Sequence, residues 1–245
     1  MTVRTVPGLF ITGTDTGVGK TRVAACIART FAGSGLRVGV YKPVASGCRR
    51  VAGELISEDA VELWEAAGRP GELSEVCPQR FAAPLAPPLA ARAEGRAVDV
   101  TRLRYGLEYW RRRADLVLVE GAGGLLSPLT ETEFVADLAA DFGFPLLVVA
   151  ANALGVINQT LQTLIVASVF RGGLEVAGVV LNHPRPPSPH DLSLATNRAE
   201  LERRSGAPIL AELAWQAESF DRAVYWQELA REGKRNPAVL EKPGL

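Results

Sequence analysis

Apolar positions fall along this chain in short, nearly unbroken runs, each bounded by glycine, proline or a charged residue. Leu9-Phe10-Ile11-Thr12, Arg37 to Tyr41, Asp115 to Val119, Pro145 to Ala151, Glu175 to Leu181 and Pro208 to Leu213 read as strands. The third and fourth show no apolar–polar alternation, the signature of parallel strands buried on both faces. Helix-forming segments lie between the runs: Arg22 to Phe31, a stretch to about Ala67 opened by Ser57 as N-cap with Glu58 and Asp59 in its first turn, 99 to 113, Leu154 to about Phe170, and 191 to 205. On the helix over 99 to 113, Arg104, Glu108 and Arg111 or Arg112 form the expected exposed face. Pro78, Pro84, Pro87 and Pro88 make 77 to 91 an irregular connection or a set of short turns in which Phe81, Leu85 and Leu89 are the packing residues. A proline-rich turn ends at Pro189, and the tail to Leu245 reads as helix and then irregular chain.

Strands alternating with helices predict an α/β protein, a P-loop NTPase-like three-layer sandwich with a mostly parallel central sheet flanked by helices and joined by right-handed crossovers. Residues 1–245 are expected to form one such domain. Ligands of open α/β sheets collect beyond the strand C-termini. Lys20, Lys42, Ser46, Glu120 and Asn182 all sit at or just after the end of a strand run, so this topology should gather them on one edge.

The densest chemistry follows the first strand, in Gly13-Thr14-Asp15-Thr16-Gly17-Val18-Gly19-Lys20-Thr21. A glycine-rich loop between strand and helix lets backbone N–H groups curl around phosphate oxygens, and the helix N-terminus adds partial positive charge. Lys20 neutralises the terminal phosphates, and the Thr21 hydroxyl is placed for Mg²⁺. The strict pattern asks for glycine six positions before the lysine; Thr14 stands there, with Gly13 one step earlier. Glu120, an acid closing a buried strand before Gly121-Ala122-Gly123-Gly124, occupies the place where P-loop enzymes hold Mg²⁺ or a water on it.

Composition narrows the function classes. Lys+Arg of 27 against Asp+Glu of 27 gives no net charge, which argues against a general nucleic-acid or anionic-membrane partner. Arg111-Arg112-Arg113 reads as a solvated helix face. No segment approaches the about 20 unbroken apolar residues of a membrane span, and the three cysteines, Cys26, Cys48 and Cys77, lack CxxC spacing and suit a reduced, cytoplasmic protein, with Cys26 in the core. His183 and His190 lack metal-ligand spacing. The chain has four lysines, Lys20, Lys42, Lys234 and Lys242, against 23 arginines by difference from 27, so lysine sits where a compact ammonium suits a crowded phosphate site.

Taken in order, Gly13 to Thr21, Tyr41-Lys42-Pro43-Val44-Ala45-Ser46-Gly47, Val119-Glu120-Gly121-Ala122-Gly123-Gly124 and Leu154-Gly155-Val156-Ile157-Asn158 resemble the dethiobiotin synthetase family across most of residues 8 to 216. The resemblance implies an ATP-dependent cyclo-ligase of biotin biosynthesis. One amine of 7,8-diaminononanoate captures CO2 as a carbamate, ATP phosphorylates it, and the second amine closes the cyclic urea. Carried onto matching positions, it implies phosphate and nucleotide contacts at Gly17, Val18, Gly19, Lys20, Thr21, Arg22, Gly121, Ala122 and Gly123, with the base near Asn182, His183, Ala214, Trp215 and Gln216. It further implies Mg²⁺ on Thr21, Asp59 and Glu120, and Lys42 on the carbamate and the transferring phosphoryl group. Thr16 and Ser46 would position the diamine or carbamate, and Gly155 to Asn158 would receive the substrate's distant carboxylate across a homodimer interface. The chain departs from the family pattern at Gly17, at Ala86-Pro87-Pro88, at Gln159 and at Ala214.

A ParA- or MinD-like switch ATPase is the alternative. Those proteins carry a second lysine five positions before the loop lysine, where this chain has Asp15, and a MinD-like membrane helix would be basic, whereas Glu228, Glu232 and Glu241 interrupt the tail. An amidotransferase-type cobyrinate synthase shares the loop but needs a glutamine-hydrolysing domain for which the chain is too short.

Overall fold

The computed structural model describes residues 6–188 and 190–231; Arg4, Pro189, Glu232, Lys234, Glu241 and Lys242, and with them most of the tail, lie outside it. Strand β1 (Gly8–Gly13) leads through the glycine-rich loop into α1 (Lys20–Gly33) and then β2 (Val38–Tyr41). A peripheral stretch follows, with β3 (Val44–Ala45), the hairpin β4 (Arg49–Val51) and β5 (Glu54–Ile56), α2 (Glu58–Ala66), α3 (Leu73–Val76), β6 (Gln79–Arg80) and α4 (Pro87–Ala93). The chain re-enters the body with α5 (Val100–Arg113), β7 (Leu116–Gly124), α6 (Val135–Phe142), β8 (Leu146–Ala151), α7 (Val156–Val169), β9 (Val176–Asn182), α8 (Asn197–Arg204), β10 (Ile209–Leu213) and α9 (Trp226–Leu229).

Six strands form one sheet in the order β10-β9-β8-β1-β7-β2, and every neighbouring pair is parallel. β1 is buried at every residue because β7 and β8 flank it, which is why its sequence needs no polar alternation. The connection from β1 through α1 to β2 steps one way across the sheet, whereas those through α5, α6, α7 and α8 step the other way. Right-handed crossovers therefore set α1 on one face and the other four on the opposite face.

After β10 the chain returns over α1. Arg22 Nη2 donates to the Ala217 carbonyl at 2.6 Å, the Cys26 thiol to the Glu218 carbonyl at 3.3 Å, and Gly8 N to the Ala230 carbonyl at 3.1 Å. Trp226 closes that layer with 3% exposure.

Local chemistry accounts for the helix ends. The Ser57 hydroxyl accepts from Ala60 N and the Asp99 carboxylate from Arg102 N, so each caps the helix that follows it. α6, in the interval 125–144 for which the apolar pattern yields no reading, starts where Asp137 accepts from Phe134 N at 2.7 Å.

Several expectations need correction. Residues 77 to 91 are not wholly irregular: Gln79–Arg80 pair with Val44–Ala45, and α4 begins with Pro87 at its first turn, where a missing N–H costs nothing. Phe81 is fully buried, but Leu85, in the bend before α4, and Leu89, on α4, are each 46% exposed. The helix expected over 191 to 205 is a 3₁₀ turn, Leu192–Ala195, followed by α8. Arg104 does not project into solvent; it is half-buried against α6, donating to Glu133 and Asp141 at 2.8 and 2.6 Å. Among the described residues no helix is long and apolar enough to cross a membrane.

Candidate active site

The glycine-rich loop is built around its lysine. A Cβ at Gly13 would lie 2.7 Å from the Asp15 carbonyl, 2.8 Å from Val18 Cγ2 and 3.1 Å from Lys20 Nζ. The loop folds back on Gly13, not on position 14, which explains the displaced glycine. Thr14 N instead donates to the Val149 carbonyl at 3.0 Å, anchoring the loop to β8. Gly19 caps α1 with φ 92°, and a Cβ there would fall 2.1 Å from Asn182 Nδ2. Asn182, 2% exposed at the end of β9, donates to the Val18 carbonyl at 2.8 Å. Gly19→Ala is accordingly expected to combine left-handed strain with this collision and to lower unfolding free energy by about 1–3 kcal/mol, read by chemical denaturation; an unchanged midpoint would contradict it.

Lys42 follows β2, its N–H held by the Val76 carbonyl at 2.8 Å. Its ammonium, 4% exposed as a residue, donates to Asp59 Oδ2 at 2.8 Å and to Glu120 Oε1 through a short contact. Thr21 Oγ1 donates to the same Glu120 oxygen at 2.9 Å, while Glu120 Oε2 is buried with no hydrogen-bond partner. Lys20 Nζ donates to the Asp15 carbonyl at 3.1 Å.

Burial shifts these groups, and their neighbours decide the outcome. Burial pushes Lys20 down to about 8, with Lys42 reinforcing the fall and Glu120 opposing it. It also works against the Lys42 ammonium, but Glu120 and Asp59 outweigh it and hold Lys42 above the ordinary lysine range. Burial works to raise the Asp59 carboxyl, but the charge and hydrogen bond of Lys42, with Thr21 and Lys20, together outweigh it and hold Asp59 below the usual carboxylate range. Glu120 is pushed up by burial, against the pull of Lys42.

These groups line one cleft of about 670 Å³. Thr16, Gly17, Gly19, Lys20, Thr21, Arg22, Lys42, Ser46, Asp59, Glu120, Ala122 and Gly123 all face it. The Ser46 loop is held from below, because Gly47 N and Cys48 N donate to the Ala83 and Phe81 carbonyls. The structure also brings in Leu85, which the sequence reading takes as a packing residue, and residues that reading passes over, chiefly Glu62, Ser127 and Pro128. Ser127-Pro128 after Gly123-Gly124 is a turn signal that could have flagged the last two.

Val18 and Gly121 are buried beneath the loop and the strand end. Asn182, His183, Ala214, Trp215 and Gln216 stand outside the cleft at the ends of β9 and β10. A polar network orders that end: Glu212 Oε1 contacts His183 Nε2 and accepts from Asn152 Nδ2 at 2.8 Å, and Asp221 accepts from Glu212 N at 2.7 Å and from Arg198 at 2.6 Å. Gly155 to Asn158, at the start of α7, do not reach this chain's cleft.

An all-oxygen set of two carboxylates and one hydroxyl, with one carboxylate oxygen left unpaired, fits a hard divalent cation. A phosphate-cradling loop at a helix N-terminus, set at the C-terminal edge of a parallel sheet, defines a P-loop NTPase. Solved structures share that fold: the signal recognition particle receptor FtsY from Elizabethkingia anophelis has a TM-score of 0.53 at 16% identity, matching 93% of this chain and 65% of its own, and a ParA family ATPase from Chlorobium tepidum TLS has 0.52 at 15%, matching 87% and 85%.

The family model for an AAA domain matches residues 7–222. The ATP-dependent dethiobiotin synthetase BioD of Anaeromyxobacter dehalogenans is 48% identical over 216 residues, 88% of this chain and 93% of that relative. The protein of the same name from Rhodopirellula baltica is 44% identical over 215 residues, 83% of this chain and 82% of its own. The chain belongs to the ATP-dependent dethiobiotin synthetase family.

Proposed function

We propose that this chain closes the ureido ring of dethiobiotin from 7,8-diaminononanoate, CO2 and ATP, with Mg²⁺, in biotin biosynthesis. The observation that carries the reading is the convergence of Lys20, Lys42, Thr16 and Ser46 with Asp59 and Glu120 in one cleft. An amine of the diamine attacks CO2, forming a C–N bond and losing a proton. A carbamate oxygen attacks the γ-phosphorus and expels ADP. The second amine then attacks the carbonyl carbon of the mixed anhydride and expels phosphate.

Carbamate and γ-phosphate are both anions, so holding them together is the main electrostatic problem. In this reading Lys20 and the loop N–H groups hold the phosphates, and Lys42 lies between the carbamate and the transferring group. The Thr16 and Ser46 hydroxyls orient the diamine or its carbamate. Gly17, Val18, Gly19, Thr21, Arg22, Gly121, Ala122 and Gly123 surround the triphosphate, and Asn182, His183, Ala214, Trp215 and Gln216 receive the base. Thr21, Asp59 and Glu120 would hold Mg²⁺, which when bound neutralises phosphate charge in the transition state.

For the distant carboxylate, the reading places Gly155, Val156, Ile157 and Asn158 of a second protomer at the cleft. The exposed Leu154 beside them, with exposed Ile165 and Val169 further along α7, supports a homodimer through α7. Residues 1–245 would act as a single domain, supported by a main core cluster that runs from Val6 to Ala230. A cytoplasmic enzyme without nucleic-acid or membrane partners completes the proposal, supported by the balanced charge of the chain.

The Lys20 ammonium makes a pH prediction. In the free protein its pKa is about 8, and only the charged form attracts phosphate. Second-order turnover of ATP is expected to fall as pH rises through about 8, while turnover at saturating ATP persists to higher pH because bound phosphates retain the proton. A kcat/KM profile flat to well above that pH would contradict it.

The direct test is mass spectrometry of products from purified protein with 7,8-diaminononanoate, bicarbonate, Mg²⁺ and ATP, beside a diamine-free control. Dethiobiotin with ADP, formed only when diamine is present, is the expected result. ADP without cyclic urea, independent of diamine, would overturn the proposal in favour of a switch ATPase.

A further inference from the structure

The residues proposed to hold the divalent cation already have a cation between them. Lys42 Nζ, its side chain 5% exposed, donates to Asp59 Oδ2 at 2.8 Å and to Glu120 Oε1, and Glu120 is itself 1% exposed. Thr21, the third oxygen donor, spends its hydroxyl proton on the same Glu120 oxygen at 2.9 Å. All three donors are therefore linked through Lys42 and Glu120 into one hydrogen-bonded chain, and Glu120 Oε2 is left buried without a partner.

We infer that Lys42 is an internal counter-ion that excludes free divalent cation from this site, so that metal enters with the nucleotide and its arrival releases Lys42 toward the reacting anions. This rests on the assignment of Thr21, Asp59 and Glu120 to the metal.

The physical reason is charge competition at short range. Glu120 is buried and the Asp59 side chain beside it is half exposed. A buried carboxylate next to a second carboxylate is strongly unfavourable without a cation, and Lys42 removes that penalty in the free protein. A divalent ion entering alone would have to displace an ammonium that has nowhere to go, since the cleft then offers no anion to receive it. A polyphosphate changes both sides at once: it supplies oxygens that complete the metal's coordination and negative charge toward which Lys42 can move. The cation-competent arrangement is thus a minor state of the free protein, and apparent affinity falls by the fraction populated. The lysine proposed to touch the carbamate is thereby kept off the diamine site until nucleotide and metal are both in place.

The test is Mn²⁺ binding to the nucleotide-free protein, read by electron paramagnetic resonance of the free ion, for wild type, Lys42→Met, Glu120→Gln and Lys42→Met/Glu120→Gln. Expected is weak binding by wild type, binding at least about tenfold tighter by Lys42→Met, and loss of that gain in the double variant. Equal Mn²⁺ affinities in wild type and Lys42→Met, with Glu120→Gln abolishing both, would overturn the inference while leaving the metal site in place. A gain in Lys42→Met that survives Glu120→Gln would instead overturn the metal assignment on which it rests.

A second measurement covers a misfolded variant. With four lysines in the chain, ¹⁵Nζ-lysine NMR of wild type can follow Lys42 directly. Its resonance should be unmoved by millimolar Mg²⁺ alone and shift when Mg²⁺ is added with a non-hydrolysable ATP analogue. Movement on Mg²⁺ alone would overturn the inference.

Discussion

Lys42→Ala is expected to reduce dethiobiotin formation about 10³-fold or more while changing nucleotide affinity little. The magnitude follows from charge: an ammonium about 4 Å from each of two anions, at an effective dielectric constant near 20, contributes roughly 4 kcal/mol per pair. Losing one such interaction in the transition state alone corresponds to about three orders of magnitude. Nucleotide binding is expected to survive because Lys20 and the loop amides are untouched, and Lys20 is tied to Asp15, not to Lys42.

The same substitution has a structural cost. It leaves Glu120 buried without its ammonium, a change that typically costs about 3–5 kcal/mol. Burial already pushes the Glu120 carboxyl up, so protonation relieves part of that cost. A lower melting temperature with a folded, ATP-binding protein is the expected outcome. Full activity, measured as dethiobiotin per ADP well below the melting point, would remove Lys42 from the reaction.

Glu120→Gln tests the other half of the pair. The amide keeps the shape but cannot offer the charged oxygen that now lies buried and unpartnered. Product formation at fixed Mg²⁺ is expected to drop about 10²-fold or more, and the Mg²⁺ concentration for half-maximal rate to rise. Lys42 retains Asp59 at 2.8 Å in this variant, so its stability should fall less than that of Lys42→Ala. A Mg²⁺ titration superimposable on wild type would take Glu120 out of the metal site.

The switch-ATPase alternative shares the fold and little else. The ParA family structure has a TM-score of 0.52 at 15% identity, which is evidence of architecture, since one fold hosts many chemistries. Identity of 48% over 88% of this chain and 93% of the relative is evidence of another kind, because a likeness of that extent shows the family and not the fold alone.

What the sequence determined by itself was local or periodic. Nearly unbroken apolar runs read as β1, β7 and β8 because a parallel strand covered on both faces is mostly apolar, the buried exceptions Thr12 and Glu120 falling toward the strand ends that meet the loops. Gly-Lys-Thr after a strand marked the loop because phosphate cradling needs particular residues within a few positions of each other. Ser57 announced a helix start because a cap is a contact between near neighbours.

The tertiary structure decided what depends on residues far apart in the chain. No local pattern shows that Arg104 pairs with Glu133 and Asp141 at the two ends of α6, because that partnership spans 29 and 37 positions. Gly13, not position 14, must be glycine only because Val18 and Lys20 fold back on it. The ion pair of Lys42 with Glu120 joins residues 78 positions apart, and no pattern shows that the two charges share one buried place. Chain order specifies each group's chemistry, but the parallel sheet, by setting β1, β2 and β7 side by side, determines which groups meet.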